Sequence, residues 1–227
     1  MIAIRVMASR ARRGGAAATA GIAVALALAG CGVLPDKPRR ATLYDFGPGL
    51  VVPAAAAAAT PAVSSLPPLA LAGIEANPRL DGTQLLYRLG YADPNELRSY
   101  GLARWSMAPA QLLGQRLRDA LSARRTVLAS DESAAVARTG GLAPETLHVT
   151  LEEFSHYFES PGASVGLVRL HATLLRGAPG GDRVLGQKSF TVRWPAPSPD
   201  AAGGVKALAA ASDVAVAGIV QWVDGFR

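Results

Sequence analysis

Leu113, Leu117 and Leu121 recur every fourth position, with Leu112 and Ala120 widening the stripe. Arg116, Arg118 and Asp119 take the opposite side, so the spacing predicts an amphipathic helix over Ala108–Ala123, with Ser106 able to cap it and Pro109 suited to its first turn. A second helix is predicted from about Asp200 to Phe226, with Val205, Leu208, Ser212, Val216, Ile219, Val223 and Phe226 on one face. Elsewhere the period is two. Leu147, Val149 and Leu151 alternate with polar residues in "ETLHVTLEEF", and Val168, Leu170, Ala172 and Leu174 do so in "ASVGLVRLHATLLR". "RVLGQKSFTVRW" follows as a third long strand after turn residues Ala178–Asp182. Shorter strands are read at Ala41–Phe46, Leu69–Ala76, Gln84–Leu89, about Leu97–Trp105 and in "TVLAS". "SAAVARTGGLAP" reads as a loop or a broken turn of helix.

The strand parities carry one further expectation. With Pro161-Gly162 as the turn, odd residues face odd ones, yet the core positions are odd before the turn and even after it. A one-residue slip turns a strand inside out, so a β-bulge is expected near Glu152-Glu153-Phe154. Taken together the pattern gives one α+β domain over residues 41–227: an antiparallel or mixed sheet with two helices packed on one face. An Ala/Pro-rich stretch at 53–68 is read as a loop within it.

The first thirty residues follow different rules. Arg5, Arg10, Arg12 and Arg13 precede an apolar run from Ala16 to Ala29, broken only by Thr19 and Gly21. Fourteen residues fall short of the roughly 20 needed for a spanning helix, and small residues close the run, which describes a secretory signal peptide over 1–30. Leu28-Ala29-Gly30-Cys31 matches a bacterial lipobox, in which the cysteine thiol takes a diacylglyceryl group and becomes the new N-terminus. The alternative, a buried free thiol, suits a core position rather than a cleavage-type boundary. Cys31 is the single cysteine and has no disulfide partner within the chain. Residues 31–40 then form a lipidated tether, whose nine residues after Cys31 reach about 30 Å when extended. Gly32, rather than Asp, favours the outer membrane by the sorting rule of enteric bacteria.

Charge is reinterpreted accordingly. Four of the 23 Lys and Arg and none of the 17 acids lie before Cys31, so the formal +6 becomes +2 in the mature chain. That leaves little electrostatic case for nucleic acid. No GxxxxGK[ST], GxSxG, HExxH or CxxC run is present, and no nucleotide, cofactor or catalytic group is expected. His148, Glu152, His156 and His171 come nearest to a metal set, with His148 and His171 sharing the outer sheet face near Glu152. Outer faces of antiparallel strands ordinarily look like this, and that plainer reading is preferred. Trp105 is expected beneath the helix that follows it and Trp222 at the core edge, while Arg124-Arg125 and Arg39-Arg40 are read as solvated pairs.

"LDGTQLLYRL", "NELRSYGLARWSMAPAQLLGQRLRDAL" and "SFTVRWPAPSPDAAGGVKALAAAS" together resemble the ABC-type transport auxiliary lipoproteins, over about Ala41 to Trp222. The densest part of the likeness is Leu80–Leu121: Asp81, Gln84, Tyr87-Arg88, Trp105, Pro109, Leu112-Leu113 and Arg116-Leu117. The family includes paraquat-inducible-type lipoproteins serving MCE-domain lipid transporters. The resemblance implies a non-enzymatic, outer-membrane-anchored accessory that docks in the periplasm with an MCE-domain protein, as a homo-oligomer. Tyr100, Tyr157 and Phe158 are the candidate partner contacts, the last two because they lie near the hairpin tip. A different class, a periplasmic lipid carrier with a cavity between sheet and helices, is the second reading; an anchored hydrolase has the least support.

Overall fold

The computed structural model describes residues 40–48, 66–138, 143–178 and 180–226, all within the unit Arg40–Arg227. Cys31, the signal segment and most of the Ala/Pro-rich stretch lie outside the described residues. The elements are β1 (Thr42–Tyr44), β2 (Leu69–Ala76), a 3-10 turn (Pro78–Leu80), β3 (Gln84–Leu89), β4 (Arg98–Trp105), α1 (Pro109–Ser122), β5 (Val127–Leu128), α2 (Ser130–Arg138), β6 (Glu145–Ser160), β7 (Ala163–Arg176), β8 (Arg183–Pro195) and α3 (Ala201–Asp224).

Strand β6 organises one mixed sheet. Its 16 residues pair antiparallel with β7, which pairs antiparallel with β8. On its other edge two short strands run parallel to it in succession. β2 pairs along the first half (Leu69 with Glu145, Ala76 with Leu151), and β3 along the second (Tyr87 with His156). β5 extends the β2 wing; β4 and then β1 extend the β3 wing.

The expected bulge is present, and a second register shift between Phe158 and Ser160 accompanies it, so the expected odd-with-odd pairing holds only from Glu153 to Phe158. The β6–β7 register shifts between Leu151 and Glu153. Leu147, Val149 and Leu151 face the core before it, and Phe154 after it, opposite Val168, Leu170, Ala172 and Leu174; all eight are at most 1 % exposed. The bulge also leaves Glu153 buried, where Arg88 meets its carboxylate through Nε at 3.2 Å and Nη2 at 3.1 Å. Arg88 further donates to the carbonyls of Pro94 and Asn95, and Arg79 reaches Glu152 O at 2.8 Å. Two arginines therefore hold the irregular turn of β6 to the β3–β4 wing.

The helix stripes pack as their periods dictate. Leu113, Leu117 and Leu121 are fully buried, as are Leu208, Ala211 and Ile219 of α3. Ser212, the polar member of that stripe, is satisfied by donating to Leu208 O at 2.7 Å. Although α3 is long and apolar enough to cross a membrane, 61 % of its most apolar window is buried inside the protein, as befits a core helix. Trp105 is 1 % exposed and meets Phe46 and Phe154 edge-on at 5.6 and 5.5 Å. Trp222 is half-buried between Phe190 and Phe226.

Three expectations need correction. The stretch read as loop or broken helix contains α2, a third helix, whose first turn carries Asp131 and Glu132; Glu132 accepts from Ala129 N at 2.7 Å and stabilises the start. Arg125 is not solvated: it is 5 % exposed and paired with Asp224 of α3, which also holds Arg124. The strand read as ending at Phe154 continues to Ser160, which changes the status of two candidate site residues.

Candidate functional site

Tyr157 and Phe158 do not sit on a loop tip. They lie within β6, paired with Arg88 and Leu89 of β3 on one side and with Val165 and Ser164 of β7 on the other. Phe158 is 7 % exposed, packed 4.4 Å from the His156 ring and 6.1 Å from Tyr87. Tyr157, on the opposite face, is half-buried: Gly90 passes so close that a Cβ there would lie 2.1 Å from its ring, and Arg193 stacks over it at 5.0 Å. A loop tip offers little core to fill, but a parallel neighbour strand covers both residues. The parallel β3–β6 pairing is non-local and has no short-range signal.

Tyr100 does come together with Phe158, through a residue the sequence reading had not placed there. His156 is fully buried and bonded at both ring nitrogens, Nδ1 to Tyr100 Oη at 2.9 Å and Nε2 to Ser164 Oγ at 2.7 Å. Tyr87 packs against Tyr100 at 4.7 Å and closes the aromatic cluster. The first turn of α3 forms the roof. Gly204 lies over the imidazole, where a Cβ would come within 2.4 Å of Nδ1, and Gly203 leaves no room for a Cβ above Ser198 O, 2.0 Å away. Asp200 caps this helix, accepting from Gly203 N at 2.7 Å and from Ser198 Oγ at 2.8 Å. The sequence signal for this contact is the Gly203-Gly204 pair, out of place inside a helix unless something approaches it closely.

Burial pushes the His156 pKa down to about 4, with the Asp200 charge partly opposing, so the ring is neutral. Burial likewise raises the Tyr100 phenol. Hydrogen bonds from Gly203 N and then Ser198 hold the Asp200 carboxyl below its ordinary value. A neutral imidazole between a phenol and a hydroxyl has the composition of a proton relay, but both of its nitrogens are already bonded within the protein. What the arrangement does is bind β4, β6, β7 and α3 to one another in a single orientation. Exposed aromatic groups lie after β3, Tyr91 at 48 %, and in β8, Trp194 at 44 %.

Three of the four residues considered for metal, Glu152, His156 and His171, are otherwise engaged. His148 and the pair Thr150–His171 do share the outer face, but His171 Nδ1 lies 3.1 Å from Ser189 Oγ and Glu152 pairs with Arg169 at 3.0 Å. Among the described residues no group of three or more His, Cys, Asp or Glu is placed to hold a metal ion. Open recesses do exist: one of about 580 Å³ between β2 and α1, lined by Leu71, Ile74, Met107 and Ala110, and one of about 510 Å³ beside Arg79, Gln84, Leu86 and Arg98.

A sequence model of the ABC-type transport auxiliary lipoprotein component matches residues 50–220. The chain belongs to this family. Its matched span reaches from before β2 to the fifth turn of α3 and so contains the His156 cluster and the Arg88–Glu153 brace. No curated protein matches the auxiliary lipoprotein in sequence. Two solved structures share its fold. Protein XCC0632 from Xanthomonas campestris is 21 % identical, with a TM-score of 0.59 over 72 % of this chain and 88 % of its own. An uncharacterized protein is 17 % identical, with a TM-score of 0.53 over 81 % and 99 %. The family description makes this protein a lipoprotein and an auxiliary of an ABC-type transport system.

Proposed function

We propose that this auxiliary lipoprotein is held at the outer membrane by acyl chains on Cys31 and supports an ABC/MCE-type phospholipid transporter by docking in the periplasm. The family match over residues 50–220 carries the reading. Two features of the fold support a docking role over a carrying one. The space between sheet and helices is filled by interlocked side chains, with Leu113, Leu147, Leu151, Leu170 and Leu208 all fully buried. His156, Tyr100 and Ser164 are bonded to one another rather than turned toward a cavity. A rigid body with exposed aromatic residues suits protein contact, and Tyr91 and Trp194 now replace Phe158 as the stronger candidates beside Tyr100 and Tyr157.

A crosslinking pull-down from cells, wild type against Cys31→Ala, tests the proposal. Recovery of an MCE-domain protein with the wild type, reduced in the variant, is the expected result. Absence of such a protein with both forms overturns the docking role. The carrier reading keeps one specific observation in its favour, the largely apolar recess between β2 and α1. Co-purification of phospholipid with the gently extracted protein, lost on Ile74→Asp, would establish it instead.

A further inference from the structure

The short strand β1 closes the sheet on the β3 wing, and it does so with an unusual surface. Leu43 is 66 % exposed, the most exposed of the large apolar residues among the described ones, and Leu102 on the adjacent strand is 50 % exposed. Pairing places them together. Thr42 faces Ala103, Leu43 faces Arg104 and Tyr44 faces Trp105, so Ala103 and Trp105 turn inward while Leu43, Arg104 and Leu102 share the outer face. Gln84 of β3 pairs with Arg104 and continues that face. Edge strands are usually protected by charge in place of exposed leucines. Here Arg104 lies between the two leucines on that face, and Arg40 precedes β1. Arg40 and Arg104 are exposed, and among the described residues neither has an acidic partner within ion-pair distance. The nearest acid along β1, Asp45, has its carboxylate engaged by Gly47 N at 2.7 Å.

Chain connectivity says what can cover this surface. Arg40 follows Cys31 by nine residues, so β1 is the first element after the lipid-bearing position and lies within about 30 Å of it at full extension. Apolar side chains that enter the acyl boundary, beside arginines that reach up to anionic headgroups, make the composition of an interfacial membrane contact. We infer that the outer face of the β1–β4 edge, formed by Leu43, Leu102 and Arg104 with Arg40 preceding it, rests on the bilayer to which Cys31 is attached. The inference depends on the anchoring proposed above. It gives the auxiliary domain a fixed orientation on the membrane, with the helix layer turned toward the periplasm.

The test uses the full lipidated protein in vesicles of phosphatidylethanolamine and phosphatidylglycerol. Acylation blocks Cys31, so a single new thiol can carry an environment-sensitive NBD label: Leu43→Cys, Leu102→Cys, or, on the helix layer, the exposed Val214→Cys. Because all three positions are exposed, folding is checked by circular dichroism. Labels at 43 and 102 are expected to shift to shorter emission wavelength and to be quenched by doxyl-labelled lipid, and the label at 214 to do neither. Arg104→Glu is expected to weaken the quenching at 43 in these vesicles and to leave it unchanged in phosphatidylcholine alone. If the protein floats with the vesicles while all three labels report water, the membrane face is wrong and the anchor stands. A wavelength shift at 43 that grows with protein density and is not quenched by doxyl lipid assigns the face to a second copy and likewise overturns the inference. If the wild type reacts with the label at Cys31 and does not float, the anchor itself fails, and the inference with it.

Discussion

The buried imidazole of His156 makes stability depend on pH in a way that can be isolated. In the unfolded chain a histidine titrates near its ordinary value of about 6.5; in the folded protein burial lowers the value to about 4. The unfolded state therefore binds a proton that the native state refuses between these two values. Stability from this group is complete above pH 6.5, falls as the pH drops, and stops falling below pH 4. Linkage puts the loss at about 2 kcal/mol by pH 5 and about 3 kcal/mol by pH 4, relative to neutral pH. Urea unfolding midpoints measured from about pH 8 to 4 for the wild type and His156→Gln test this. The variant is expected to be less stable at neutral pH, since a Gln cannot fill the ring's place under Gly204 or satisfy both Tyr100 and Ser164 as the imidazole does. Its decline between pH 6.5 and 4 should nevertheless be shallower by the amounts above. Asp200 also loses stabilisation in acid, as its lowered pKa dictates, but it is present in both proteins and acts lower in the range. Identical slopes for the two proteins would mean that His156 protonates freely in the native state, and the account of its burial would be refuted.

Two further substitutions probe the contacts that fix the fold. Gly166 lies opposite His156 on β7, and an added Cβ would lie 2.5 Å from the Ala207 carbonyl carbon and the Leu208 nitrogen of α3; since a helix backbone cannot yield as a side chain can, Gly166→Ala should cost about 2–3 kcal/mol in a denaturant titration. Arg88→Met leaves the buried Glu153 with only Arg79, 3.6 Å away, and should cost about 3 kcal/mol, much of it recovered in the Arg88→Met/Glu153→Met double variant; equal losses in both would show that packing, not the uncompensated charge, is at stake.

How much of this was legible in the chain depends on the range of the interaction. The helical stripe of Leu113, Leu117 and Leu121 and the strand alternation at Leu147–Leu151 and Val168–Leu174 state their own buried faces, because side-chain direction repeats within a few residues. The bulge near Glu152–Phe154 was expected, but the second register shift, between Phe158 and Ser160, was not, because Ser160 faces Ala163 beside the turn instead of keeping the odd-with-odd register. Trp105 followed from its place before a helix. α2 was underestimated because an Ala-rich segment without an apolar stripe shows no helical period, although Glu132 supplies its start.

The candidate site was less legible for a definite reason. Tyr157 and Phe158 were placed at a tip because nothing local predicts that β3, some seventy residues earlier, lies parallel to the far half of β6. Parallel pairing has no turn residue to announce it, and it alone buries Phe158 and brings Tyr100 to His156. Composition and the order of polar and apolar residues therefore determined by themselves most of the elements, the bulge near Glu153 and the resemblance to the auxiliary lipoproteins. Only the tertiary structure decided which polar residues are interior, because burial of His156, Glu153 and Arg125 depends on partners supplied by distant strands and by α3. It likewise decided that Leu43 and Leu102 meet on one exposed face, since neither strand carries in its own sequence the identity of its neighbour.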